Sequence, residues 1–391
     1  MNYYETLAAF LSPRPDEARI DRLRTLLRGR ADRLKWLLYT ANLHLCTPLW
    51  FVCLRRDGLL GELPADLQAY LQQLYLANTE RNAELKTGLR ELIGELDKGG
   101  IETLLLKGAA SFGDDLYGDP GARVMGDLDL LVKPQRGEAA RTVLLRLGYE
   151  KAEEEGLDFD QHPRDYQHFH LPAYRRPGTP LVVEIHTGLG HGQVARLLPA
   201  TAVWEDAEPL VWEGRRTHFP GMEWRLLHNI AHALVPHREF IRSCISLRQL
   251  AEFGFLVQAN ATQLDWSALE QRLGRYGLRR EFSTYLTLAQ RLLGLARPDG
   301  IGRSIPSSFH VLRCSLAGND EVRHVAEADS GSFRAGFWLR RVLFRGFFWM
   351  NLPVWVWRNA RYPQGTKTVP ARLKHLFARL FDPQSRKDTG C

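Results

Sequence analysis

Asp127 and Asp129 sit one residue apart in Gly126-Asp127-Leu128-Asp129-Leu130-Leu131-Val132. The Leu-Leu-Val run reads as a buried β-strand, where an unpaired charge is costly. Residues i and i+2 of a strand share a face, so the two carboxylates point the same way. Such charges repel unless a proton or a cation lies between them. A hard divalent cation with oxygen ligands, Mg²⁺ or Mn²⁺, is the natural partner when a phosphate supplies further ligands. An Asp-x-Asp at a strand entrance is equally the composition of a solvated turn, so the neighbouring segments decide between the two.

Upstream, Ile101-Glu-Thr-Leu-Leu-Leu-Lys107-Gly108 is an apolar run ending in a lysine and a glycine. Downstream, Leu181-Val-Val-Glu184-Ile-His186 is a second apolar run with one acid inside it. Strand alternation puts Val182, Glu184 and His186 on one face, and Val183 and Ile185 on the other. If the first face adjoins the aspartates, then Asp127, Asp129 and Glu184 form a three-carboxylate site of the kind two-metal phosphoryl chemistry uses.

Several elements must position these strands. Apolar spacing predicts helices in residues 1–30, a long helix over 31–55 broken or kinked near Pro48, and a helix over 64–98 closed by Gly99-Gly100. A strand at 101–106 follows, then a turn-rich loop over 113–122 leading to Arg123 and the aspartates. Residues 137–147 read as a helix. Residues 168–174 alternate like a strand and are expected to pair with 181–186 across the Arg175-Arg-Pro-Gly-Thr-Pro turn. From Gly221 onward the spacing is mostly helical. The expected fold class is α+β: a small mixed β-sheet core with helices on one side, flanked by N-terminal and C-terminal helical regions. The expected divisions are a helical region at 1–78, the core at 79–220, a helical domain at 221–330 and a basic aromatic helical segment at 331–391.

The order strand-Lys107-Gly108, then Arg123-x-x-x-Asp127-x-Asp129, then a strand carrying Glu184-Ile-His186 resembles the nucleotidyltransferase superfamily, whose fold is that of DNA polymerase beta. Within it the chain is similar to a bacterial nucleotidyltransferase branch often linked to polysaccharide or peptide-product biosynthesis clusters. Residues 36–51, Glu223-Trp-Arg-Leu-Leu-His228-Asn-Ile-Ala-His232-Ala and Leu247-Arg-Gln-Leu-Ala-Glu252 extend the resemblance, which covers about residues 30–255. It departs from the wider superfamily in having Lys107-Gly108 where Gly-Ser is usual, and Glu184 where Asp is commoner.

The resemblance implies transfer of a nucleoside monophosphate from a triphosphate, ATP by default, to an acceptor hydroxyl or amine, with release of pyrophosphate. Asp127, Asp129 and Glu184 would be the catalytic and metal-binding residues, Glu184 either completing a second cation site or taking the acceptor's proton. Lys107 would face the β- or γ-phosphate, or be a solvated strand end. Gly108 would let backbone approach the nucleotide. Arg123 would bind phosphate or brace its loop against a carboxylate. His186 would bond a ligand oxygen or cap the sheet. His228 and His232, spaced i and i+4, lack the zincin glutamate and read as a structural or acceptor-site pair. The acceptor, whether sugar, peptide or small molecule, has no readable motif.

The formal net charge of +7 is uneven: residues 331–391 hold 12 Lys plus Arg against 2 Asp, leaving the rest near −3. Aromatics interleaved with arginine make residues 333–380 a candidate for peripheral membrane contact, or for a helix packed on the domain. No apolar run is long enough for a transmembrane helix. Five cysteines without metal spacing, and no leader pattern, point to a reducing, cytoplasmic setting. Two other readings compete: a nucleotide-binding module without turnover, which the intact acid set disfavours, and a nucleic-acid-binding protein, for which no recognition motif appears. A metal-dependent phosphohydrolase would need further His and Asp ligands at metal spacing.

Overall fold

The computed structural model describes residues 1–28, 31–152, 169–234, 245–260, 264–302 and 305–326. The basic aromatic segment at 331–391, with its membrane-contact candidate at 333–380, lies outside the described residues. Four helices open the chain: α1 (Tyr3–Phe10), α2 (Glu17–Leu27), α3 (Ala31–Leu43) and α4 (Thr47–Arg56). The helix expected over 31–55 is broken near Pro48, into α3 and α4. The break falls at His44–Cys46, where Leu45 has φ +53°, a backbone turn no helix can carry. Pro48 sits in the first turn of α4, where a missing N–H costs nothing.

Helix α5 (Ala65–Lys98) then runs for 34 residues. Next come β1 (Leu104–Leu105), α6 (Lys107–Asp114), β2 (Leu128–Leu131), α7 (Gly137–Arg146), β3 (Glu150–Lys151), β4 (Tyr174–Arg175) and β5 (Val182–His186). Two short helices, α8 (Gln193–Leu197) and α9 (Ala200–Glu205), lead to the hairpin β6 (Glu208–Trp212) and β7 (Arg215–Phe219). The remaining helices are α10 (Met222–Leu234), α11 (Leu247–Ala259), α12 (Trp266–Arg275), α13 (Arg279–Leu288) and α14 (Ile305–Ala326). The fold is α+β, as the sequence predicts.

The sheet is mixed and seven-stranded, in the order β3-β4-β5-β2-β1-β7-β6. Strand β4 pairs antiparallel with β5 across the expected turn, and Leu171 N–H extends the pairing to Ile185 O at 2.8 Å. The β6–β7 hairpin is an addition that the sequence analysis does not anticipate. Its Glu213-Gly214 turn has positive φ at both residues, the type I′ conformation that matches strand twist. Its strands read Glu-Pro-Leu-Val-Trp and Arg-Arg-Thr-His-Phe, with Trp212 and Thr217 buried and most other positions exposed, so neither shows the apolar alternation that marks a strand.

Two apolar cores result. One packs the sheet face bearing Leu105, Leu128, Leu130, Val183 and Ile185 against Leu85, Leu89, Leu92 and Leu96 of α5 and Val143 and Leu144 of α7. The other joins the N-terminal helices to α10, α11, α13 and α14, with Tyr4, Phe10, Trp50, Phe253 and Tyr285 at its centre. It also takes in Leu104, Leu106 and Leu131 from the opposite sheet face, so the central strands are covered on both sides. This explains their unbroken apolar runs. Helix α5 belongs to both cores, through Leu71 at one end and Leu85 to Leu96 at the other. Cys46, Cys53 and Cys314 are buried free thiols. Among the described residues no helix is long and apolar enough to cross a membrane.

The middle of α5 fixes the loop that delivers the aspartates. Asn78 Nδ2 donates to Gly121 O at 2.8 Å and Arg123 O at 2.9 Å. Asn82 Nδ2 donates to Pro120 O at 2.7 Å and Arg123 O at 3.0 Å. Arg81 donates to Met125 O. Gly121 permits this approach, since a Cβ there would lie 2.2 Å from Thr79 Oγ1 and 2.4 Å from the Tyr75 ring. Gly121→Ala should therefore destabilise the protein by about 1–3 kcal/mol. Gly126→Ala, where a Cβ meets nothing within 4 Å, should be close to neutral. Urea denaturation of the two variants checks the contrast.

Candidate active site

Strands β2 and β5 are parallel neighbours, with Asp129 opposite Glu184 and Leu131 opposite His186. The two strand faces predicted from alternation thus meet side by side. Asp129 and His186 are 1% and 2% exposed, while Glu184 is half-buried. Asp127 lies one residue before β2 and is also half-buried.

Lys107 comes to the same place from the other side. Leu106 N–H donates to Asp129 O at 3.0 Å, tying the end of β1 to β2. The chain then turns sharply into α6 with Lys107 at φ +44°, a left-handed conformation costing about 1–3 kcal/mol in a non-glycine residue. The turn aims the side chain back across the strand. Lys107 Nζ donates to Asp129 Oδ1 at 2.7 Å, and His186 Nε2 donates to the same oxygen at 2.8 Å. His186 Nε2 also lies 3.4 Å from Glu184 Oε2.

Burial opposes the charge on Asp129, but Lys107 and His186 overcome it and hold the carboxyl well below the usual range. Burial likewise lowers Lys107 and His186, and the carboxylates reverse it, so both are raised. The hydrogen bond from His186 depresses Glu184. Asp127 behaves oppositely: burial first, then repulsion from Asp129, pushes it up to about 6, against the pull of Lys107 and Arg248. Among the described residues it has no ion pair.

These side chains face a cavity of about 520 Å³. Its floor is the β2–β5 face with Lys107 and Gly108, and its other walls are α10 and α11. His228 and His232 both line it. Burial, then Lys107 and His186, lower His228 to about 3, so it is a neutral imidazole at ordinary pH. His232 Nδ1 meets Gln249 Nε2 at 2.5 Å. Arg123 also lines the cavity, and its guanidinium pairs with Glu252 of α11 at 2.6 Å, both groups being nearly buried. Tyr117 Oη accepts a further Arg123 bond at 3.3 Å. Of the two roles left open for Arg123, the observed contact is the bracing one. A Cβ on Gly108 would come within 3.0 Å of Met125 and 3.2 Å of Arg123 Nε, so this glycine makes room for the braced loop.

Sequence reasoning misses Asn78, Arg81 and Asn82 on α5, and Arg248 and Gln249 on α11. The available signal was an Asn at each of two positions four residues apart inside an otherwise regular helix, where Asn is a poor helix former.

The donor set suits a divalent cation. Ligand atoms of Asp129, Glu184 and His186 lie within 4.8 Å of one another and could together hold a metal ion, a group that does not include Asp127. Oxygen-rich sites of this kind suit Mg²⁺ or Mn²⁺. A raised Asp127 carries a sign for stability. The folded chain holds a proton that the unfolded chain has lost, so stability falls as pH rises from about 4 to 6 and the cost is complete above that. Asp127→Asn should hence stabilise the metal-free protein at pH 8 by about 1–3 kcal/mol and leave it nearly unchanged below pH 4. Denaturant titration with a chelator at both pH values measures this. Added Mg²⁺ should then stabilise the wild type more than the variant.

A family model described as an uncharacterised nucleotidyltransferase matches residues 31–294. No curated protein matches the chain. Two solved chains do. One is an antigenic nucleotidyltransferase-like protein from Paracoccidioides brasiliensis, 20% identical, with a TM-score of 0.32 over 54% of this chain and 93% of that one. So loose a likeness adds nothing on mechanism. The family match spans every residue that lines the cavity, and this chain belongs to that nucleotidyltransferase family.

Proposed function

We propose that the protein is a metal-dependent nucleotidyltransferase that moves a nucleoside monophosphate from a nucleoside triphosphate to an acceptor hydroxyl or amine. The observation that carries this reading is the pairing of Asp129 with Glu184 in register on adjacent strands, beside His186, on the floor of a cavity. The acceptor's oxygen or nitrogen forms a bond to the α-phosphorus. The bond from that phosphorus to the β-bridging oxygen breaks, and pyrophosphate leaves with the electron pair. When bound, a divalent cation supplies charge neutralisation on the phosphate oxygens and lowers the acceptor's pKa.

In this reading Asp127, Asp129 and Glu184 hold the cation, and Glu184, the half-buried member on the cavity floor, accepts the acceptor's proton. His186 donates to Asp129 and orients it, as partners of ligating carboxylates do. Lys107 keeps Asp129 ionised and limits the repulsion among the three acids. A nucleotide-binding module without turnover would retain the same pocket, and substitution of the acids distinguishes it.

Calorimetric titration with ATP, GTP, CTP and UTP, each with Mg²⁺ and with Mn²⁺, tests the donor site. At least one nucleotide should bind in a metal-dependent way, and Asp129→Asn should weaken that binding by more than the ~10–100-fold typical of residues that merely orient a ligand. Failure of all four to bind with either metal would overturn the proposal. Once an acceptor is found, Glu184→Gln should lower turnover by about 100-fold or more with smaller effect on nucleotide affinity. A variant with full turnover would remove Glu184 from the chemistry.

A further inference from the structure

Among the described residues, four permanently charged cations line the cavity: Lys107, Arg123, Arg225 and Arg248. Three are neutralised by carboxylates. Lys107 pairs with Asp129 at 2.7 Å, Arg123 with Glu252 at 2.6 Å, and Arg225 with Asp114. Among the described residues, Arg248 has no carboxylate within ion-pair distance. Its NH1 donates to Val124 O at 3.2 Å, which uses one of five guanidinium N–H groups. That bond holds the guanidinium on the loop three residues before Asp127.

The position is electrostatically unfavourable for a cation. Arg248 is the second residue of α11, and the partial positive charge of a helix N-terminus repels cations in the first turn. Asp127 does not explain the placement, because Arg248 and Asp127 form no ion pair. An unneutralised guanidinium held beside the carboxylate cluster, at the positive end of a helix, is built to meet an anion that is not part of the chain.

We infer that Arg248 binds the phosphate oxygens of the donor's polyphosphate chain, as the cationic wall of the cavity that faces the carboxylate floor. The inference rests on the nucleotidyl-transfer reading. With Lys107 committed to Asp129, Arg248 is the fixed charge left for a polyanion among the described residues lining the cavity. The planar fork of a guanidinium matches two phosphate oxygens at once.

Inorganic tripolyphosphate with Mg²⁺, titrated calorimetrically into the full chain, isolates this contact from nucleobase recognition. Arg248→Gln should weaken tripolyphosphate binding by about 10- to 100-fold, Arg248→Lys should restore part of the loss, and orthophosphate should show little difference. Arg216→Gln, which removes an exposed arginine on β7 paired with Asp97, serves as the surface-charge control and should bind as wild type does. Equal tripolyphosphate affinity in wild type and Arg248→Gln would overturn the inference while leaving metal-dependent nucleotide binding intact. A wild type that binds neither tripolyphosphate nor any nucleoside triphosphate would overturn both. If Arg248→Gln does not fold, dicarbonyl modification of the wild type decides the matter. Mg²⁺-tripolyphosphate should shield Arg248, located by peptide mass mapping, and an unshielded Arg248 refutes its role.

Discussion

A carboxylate buried to 1% exposure on a central strand sets the terms for everything around it. Asp129 would not stay ionised there without cations at contact distance, because burying an unpaired charge costs more than a fold of this size can absorb. Two such groups meet one of its oxygens, Oδ1, from opposite sides of the chain: Lys107 across the β1–α6 turn and His186 from β5. The left-handed backbone at Lys107 follows from this demand. Backbone strain of this kind persists where the surroundings over-determine it, and such places are frequently functional.

Asp127 stands under the opposite terms. Among the described residues it has no ion pair, and burial and repulsion from Asp129 raise it against the pull of Lys107. Two aspartates of identical chemistry, two residues apart, are driven to different ionisation behaviour by where their counter-charges sit. The loop that delivers them is held from two directions, by Asn78, Arg81 and Asn82 of α5 and by Arg248 and Glu252 of α11. Most of these contacts land on backbone carbonyls, so the loop's path is fixed with little dependence on its own side chains. A site of this kind is preorganised: its geometry is set before a ligand arrives.

The local pattern was legible where period and burial coincide. Alternation in Val182–His186 and the spacing of Asp127 and Asp129 identify the strand faces, and β2 and β5 place those faces together. The helix at α5 and the β4–β5 turn are likewise readable from apolar spacing and turn residues. What could not be read is set by distance in sequence. Glu252 is the partner of Arg123, and Arg248 binds Val124, but nothing in either segment announces the other. The β6–β7 hairpin escaped because neither of its strands alternates apolar and polar residues, whereas the break expected near Pro48 is present at His44–Cys46.

The shared core of the N-terminal helices and α14 has a consequence for how the chain reaches its folded state. Tyr3 N–H is bonded to Asn319, 316 residues away, and Tyr4 Oη to Ile245 O. Tyr4 and Phe10 meet His44 and Trp50 nearby in the chain, and the rest of their burial comes from segments synthesised much later. Contacts of such sequence separation slow folding, and the apolar faces they cover stay partly exposed until those later segments arrive.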